Sequence, residues 1–166
     1  MTRPVSPPAD ARLTPPGNGR SERAWLAGLL LVTALLAFYG LGGGADFQMI
    51  DCWVGQTARE MHDSGSWLVP RFSGETRMQK SPGPYWAVML TSRVLQRPID
   101  EFTTRVPSAL AAIVLVATVW YLTRRIYDER TARFAGFAAA SSALVLWWSH
   151  RGASDLGLAT STTVSL

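Results

Sequence analysis

Residues 25–41 read WLAGLLLVTALLAFYGL. Threonine, glycine and tyrosine are the only relief in the apolar run, and the uncharged stretch reaches from 24 to 45, between Arg23 and Asp46. A membrane-spanning helix needs about 20 mostly apolar residues, with a lower limit of about 17. A core helix of a soluble bundle would carry a polar face, and this stretch has none. A second uncharged run covers 106–123, between Arg105 and Arg124. A third covers 134–149, between Arg133 and His150. The third is marginal in length, with His150 able to extend it into the interface. Three such runs in 166 residues predict an all-α polytopic membrane protein rather than a soluble domain.

The charges sort by segment. Residues 1–23 hold four arginines against Asp10 and Glu22, and residues 124–133 hold four against Asp128 and Glu129. The long segment 46–105 balances seven basic against seven acidic residues. Basic residues in short flanks stay on the cytoplasmic side. The amino terminus and the 124–133 turn are therefore expected in the cytoplasm, and 46–105 outside. The net charge of +4 forms no clustered basic stripe, so it is not a nucleic-acid signal. Cys52 is the single cysteine, which excludes an internal disulfide. The first apolar run is long for a signal peptide and follows an extended tail, which favours an uncleaved anchor.

The organisation that follows is a disordered, proline-rich tail (1–23), a crossing (24–45), an outer loop (46–105), a crossing (106–123), a cytoplasmic turn (124–133), a crossing (134–149), an outer turn (150–155) and the start of a fourth crossing (156–166). At about 1.5 Å per residue the last stretch is too short to cross, so a fragment or truncated product is expected. Within the outer loop, MIDCWVGQTAREMH reads as a helix with Ile50, Val54, Ala58 and Met61 on one stripe, lying along the membrane surface. Residues 67–84 read as irregular or weakly extended. Pro84 suits the opening of a further helix, YWAVMLTSRVLQ.

Several polar residues of the outer segment can carry chemistry. Asp51 sits near a helix start, where the dipole favours a carboxylate. It either caps that helix or, with Gly55 and Ala58 leaving room above it, orients or deprotonates an acceptor. Asp46 is a loop residue or a second acidic group of the same cleft. Arg59 on the same helix is an ion-pair partner or a lipid-phosphate contact. His62 lacks partners at metal-ligand spacing, and two histidines in the chain make a histidine zinc site improbable. Lys80 precedes SPGP, a rigid turn. It either snorkels to the interface or stands as a positioned charge for a phosphate. Tyr85 and Trp86 suit the interface. In HRGASD, Arg151 and Asp155 are four apart, within pairing reach on a helix. Asp155 alternatively faces the outer cleft with Asp51. No phosphate-binding glycine loop or serine elbow is present.

In order along the chain stand TAREMHDSGSWLVPRFSGE, MQKSPGPYW, RVPSALAA, TRRIYDERTARFAG and HRGASDLGLA. On these motifs the chain from 45 to 166 resembles the amino-terminal part of the C-type membrane glycosyltransferases. It is most similar to the branch of the bacterial aminoarabinose transferase and the protein O-mannosyltransferases. The resemblance implies a polytopic fold with outer juxtamembrane helices. It implies transfer of a sugar from a polyprenyl-phosphate-type lipid donor to lipid A, a protein or a cell-envelope glycan at the outer face of the cytoplasmic membrane. Membrane lipids are the expected surroundings, and nucleic acid is not a partner. Carried over by position, Asp51 and Asp155 are the catalytic candidates, and Lys80, Arg59, Tyr85 and Asp46 the substrate contacts. The resemblance fixes no cofactor. A divalent ion is left open, since some relatives use one near the acidic residues while this chain offers sparse ligands.

The departures are specific. The family's acidic pair reads Ile50-Asp51, Trp53 replaces an arginine, Gln79 replaces the glutamate before the lysine, and Ser81 replaces a proline. The rival expectations are a non-catalytic polytopic protein and an inactive glycosyltransferase fragment. A transporter would show broken or polar-faced crossings. The 166-residue chain is expected to be inactive alone.

Overall fold

The computed structural model describes residues 19–43, 49–152 and 154–165. Asp46 and the proline-rich tail to residue 18 lie outside them. The order is α1 (Gly19–Phe38), α2 (Met49–Ser64), β1 (Arg71–Phe72), β2 (Glu75–Thr76), α3 (Gly83–Leu95), α4 (Glu101–Ile126), α5 (Glu129–Ala140), α6 (Ala143–Ser149) and α7 (Ser154–Val164). Stretches of α1 and α4, Arg20–Phe38 and Glu101–Ile126, are long and apolar enough to cross a membrane. Leu31, Val32, Leu35 and Leu36 of α1 and Leu110, Val114 and Tyr121 of α4 are exposed. So are Phe134 and Phe137 of α5 and Leu144 and Trp147 of α6. Apolar surface on this scale is what a bilayer covers.

α4 is the central post and touches each of the other helices. Ala37 and Leu41 at the end of α1 pack on Val106 and Ala109 of α4. Farther along, Leu29, Val116 and Ala140 join α1, α4 and α5. At the opposite end of the post, Glu22 of α1 forms an ion pair with Arg124 of α4. That contact sets the start of α1 beside the end of α4.

Two helix limits differ from the expectation. α4 starts at Glu101 rather than at 106. Asp100 caps it, accepting from the Thr103 N–H at 2.8 Å, while the Thr103 hydroxyl accepts from the Asp100 N–H at 2.8 Å. This reciprocal box satisfies orphan N–H groups and draws charged residues into the first turns. The expected single helix over 134–148 is two helices, α5 and α6, parted at Ser141 and Ser142. Ser141 closes α5, its hydroxyl donating to the Phe137 carbonyl at 2.9 Å. A serine hydroxyl that competes for backbone acceptors weakens the helix it ends.

The segment between α1 and α4 also departs from a surface-lying helix and a loose loop. The apolar stripe of α2 is covered: Val54, Ala58 and Met61 pack with Tyr85, Val88 and Met89 of α3 and with Ile99. Those α3 residues repeat at helical spacing, so each helix supplies the other's missing wall. Between the two, β1 and β2 pair antiparallel, Arg71 with Thr76 and Phe72 with Glu75. Ser73 and Gly74 turn the hairpin at φ 54° and 81°, the left-handed pair that a tight hairpin needs. Their N–H groups donate to the Glu60 carboxylate at 2.8 and 3.1 Å. With the Gln56 side-chain amide, which contributes most, they hold that carboxyl below its usual range. The hairpin is thus tied to α2, and the chain leaving it leads to Lys80.

Candidate functional site

Asp51 lies in the first turn of α2 and is fully buried. Arg105 Nη2 stands 3.3 Å from its Oδ2, and Arg105 is itself fully buried. The Gly152 N–H donates to Oδ1. Arg151 Nη1 lies 3.8 Å from Oδ2, and its guanidinium covers the Trp147 ring at 4.6 Å. Arg105 Nη1 donates to the Leu41 carbonyl at 3.1 Å. One carboxylate and one guanidinium thereby join the end of α1, the start of α2, the start of α4 and the link from α6 to α7. Enclosed charge is tolerable only with partners of this quality. Arg151 turns to Asp51, so the local pair with Asp155 that the spacing allowed is not formed.

Gly152 is needed at this junction. A Cβ there would stand 2.6 Å from Thr104 Cγ2 and 3.3 Å from Asp51 Oδ1. Gly152→Ala is therefore expected to destabilise the protein by about 1–3 kcal/mol. Thr104→Ser removes the obstructing methyl. It should recover a measurable part of that loss in denaturant titrations of the double variant, and no recovery would count against the steric cause.

Beside this junction opens a cleft of about 510 Å³. Lys80, Ser81, Gly83, Pro84 and Ala87 form one wall, Pro107 and Ser108 of α4 the back, and Asp155, Gly157 and Leu158 of α7 the other wall. Two of the residues singled out by sequence, Lys80 and Asp155, thus meet across one cavity although they lie far apart in the chain. Lys80 is delivered by the SPGP turn, whose Gly83 and Pro84 open α3. Pro84 has no N–H to leave unsatisfied there. Asp155 stands in the first turn of α7, where a negative charge is favoured. Pro107 inside α4 removes one ladder N–H at the back of the cleft.

The other candidates fall elsewhere. Asp51 is not among the residues that line the cleft; it contacts the arginines and Gly152. Tyr85 is 2% exposed in the core between α2 and α3, where burial pushes its phenol above the usual range. Arg59 donates to the Ile99 carbonyl at 2.5 Å and lines two other cavities. Among the described residues no three His, Cys, Asp or Glu side chains come together as a metal site requires. The Asp51 oxygens face guanidinium and amide N–H groups, which does not suit a cation. Sequence reasoning missed Arg105, Thr104, Ser108 and Gly152. Arg105 had a signal: it is the charge that bounds an apolar run and opens RVPSALAA.

A helical polytopic membrane protein with a largely apolar cleft that a loop lysine and the α7 aspartate both line is the class these features define. A sequence model of the dolichyl-phosphate-mannose-protein mannosyltransferase family matches residues 79–166, more than half of the chain, and the chain belongs to that family. An uncharacterized protein of Aquifex aeolicus is 28% identical over 126 residues, 76% of this chain and 25% of its own length. The undecaprenyl phosphate-alpha-4-amino-4-deoxy-L-arabinose arabinosyl transferase 2 of Pseudomonas fluorescens is 28% identical over 144 residues, 81% of this chain and 24% of its own. The apo crystal structure of ArnT from Cupriavidus metallidurans superposes with a TM-score of 0.77 at 20% identity, over 86% of this chain and 26% of that one. The fold is therefore that of a polytopic membrane glycosyltransferase, as the motifs implied. The chain spans about a quarter of the length of the curated relatives it matches.

Proposed function

We propose that the full-length protein moves a sugar from a polyprenyl-phosphate-type lipid donor to an acceptor on the outer face of the cytoplasmic membrane. Lipid A, a protein or a cell-envelope glycan are the acceptor classes. The observation that carries this reading is the convergence of Lys80 and Asp155 on one cleft with a largely apolar lining. Family membership and the printed activity of the arabinosyl transferase relatives support the donor class. The positive flanks, joined at one end through Glu22 and Arg124, support the orientation.

The reaction is a single displacement. An acceptor oxygen or nitrogen forms the bond to the anomeric carbon, the bond from that carbon to the phosphate oxygen breaks, and the phosphate leaves with the electron pair. Charge develops on the departing phosphate, and a fixed ammonium is worth most where water is thin. Lys80 takes that role. Asp155, across the cleft and exposed, orients the acceptor and receives its proton. Asp51 acts as a positioning residue: with Arg105 it fixes α2, α4 and the link to α7, and so the separation of the two cleft walls. Its full burial and its arginine and amide partners favour this over direct proton transfer.

The test uses the full-length protein in proteoliposomes with a radiolabelled polyprenyl-phosphate sugar. Asp155→Asn is expected to lower turnover by about 10²-fold or more, with donor affinity little changed. Wild-type turnover in that variant would remove Asp155 from the chemistry.

A further inference from the structure

Behind α3 lies a second cavity of about 640 Å³, in which Arg59, Arg93 and Arg97 are set around His62, Ser92 and Trp67. Asp63 is the acidic residue in its lining, and it is engaged by His62 at 3.3 Å. The cavity is separate from the cleft. Gly83, Pro84 and Ala87 face the cleft, and Met89, Ser92 and Arg93 face the second cavity. At 3.6 residues per turn these two sets lie about 180° apart around α3.

The three guanidiniums are held differently. Arg59 is fixed by its bond to the Ile99 carbonyl at 2.5 Å and lines the cavity. Arg97 is held by Asp100 at 3.2 Å and rests over the Phe102 ring at 5.0 Å. Among the described residues Arg93 makes no ion pair, and it is exposed. Arg97 already has a carboxylate, so the charge that Arg59 and Arg93 bring to the cavity is what a bound anion would offset. Arginine forks match the geometry of phosphate oxygens. The wall is not purely polar. Trp67 lines it and is 47% exposed, and Leu68 next to it is 73% exposed. A basic pocket edged by an exposed tryptophan and leucine has the composition of a membrane-interface site.

We infer that this cavity is a second anion site, distinct from the transfer cleft, that takes the phosphate of a membrane-lipid headgroup. Arg59 and Arg97 form its fixed sides and Arg93 closes over the phosphate. Trp67 and Leu68 meet the first part of the acyl chains. The inference stands whether or not the cleft performs sugar transfer, because no residue is shared between them.

The test measures binding to the full-length protein in a non-ionic detergent, with dihexanoyl phosphatidic acid and inorganic phosphate as separate probes in isothermal titration. Arg93→Glu is expected to weaken phosphatidic acid binding by about tenfold or more. Arg130→Glu, which makes the same charge change on exposed surface at the far end of α4, should leave it nearly unchanged. Equal losses in both variants, or no loss in Arg93→Glu, would overturn the site. Inorganic phosphate is expected to bind about tenfold or more weakly than the lipid, since it lacks the apolar contact. Equal affinity for the two probes would overturn the headgroup as the source and leave a free-phosphate site.

Discussion

Asp51→Ala is expected to destabilise the protein by about 3–5 kcal/mol, the largest loss of any single substitution between α1 and α4. Removing the carboxylate leaves Arg105 fully buried and Arg151 nearly so, without counter-charge, and strands the Gly152 N–H. Asp51→Asn keeps an oxygen for Gly152 but not the charge, so it should fall between alanine and wild type. Exchanging both partners, Asp51→Leu with Arg105→Met, removes the fully buried charge of Arg105. It still takes the carboxylate away from Arg151 and leaves the Gly152 N–H and the Leu41 carbonyl without their partners, at a cost of about 1–3 kcal/mol for each orphaned group. The double variant should therefore be more stable than Asp51→Ala and less stable than wild type. Unfolding by denaturant in mixed micelles orders the four proteins. A loss below about 1 kcal/mol in Asp51→Ala would show that the buried pair does not hold the junction. Transfer assayed under conditions where Asp51→Asn stays folded separates the two roles of the carboxylate. Activity within about tenfold of wild type assigns positioning, and a loss of about 10²–10⁴ with the fold intact returns Asp51 to proton transfer.

That junction also explains what the sequence could and could not disclose. Uncharged length is a property of composition, so the apolar runs behind α1 and α4 are visible without a structure. Pro84 opening α3 is equally local, because proline is restricted by its own ring. Lys80 and Asp155 stood out because each is a charge beside a rigid turn or a crossing. The partners of Asp51 are another matter: Arg105 is 54 residues away and Gly152 is 101. No periodicity connects such positions, and a charge next to an apolar run was read as the limit of a helix. Arg105 is instead inside α4, where its Nη atoms reach Asp51 and the Leu41 carbonyl away from water. The break between α5 and α6 was hidden for a different reason. Serine is accepted in membrane helices, so Ser141 and Ser142 carry no stop signal until the hydroxyl bond to Phe137 is seen. The stripe on α2 was legible as apolar but not as covered, since a stripe does not say whether lipid or α3 lies against it.

Lys80→Ala in the full-length protein is expected to lower single-turnover transfer by about 10²–10³-fold, the usual consequence of removing one fixed stabiliser of developing charge. Donor affinity should weaken in the same variant, because the ammonium meets the phosphate before as well as during bond cleavage. Lys80→Arg tests geometry at constant charge. Its planar fork presents its donors in a different geometry from a compact ammonium, so it should recover only part of the loss. A lysine that merely reaches out to the interface predicts the opposite pattern, with Lys80→Arg silent and Lys80→Ala mild. Unchanged donor affinity in Lys80→Ala would remove the phosphate contact even if turnover fell. The cleft would then owe its chemistry to Asp155 and Ser108, and the SPGP turn would serve to set Tyr85 into the core between α2 and α3. Measuring affinity and single turnover on the same preparation separates these outcomes, since folding damage lowers the binding stoichiometry and the turnover amplitude by the fraction of protein lost while leaving the affinity unchanged.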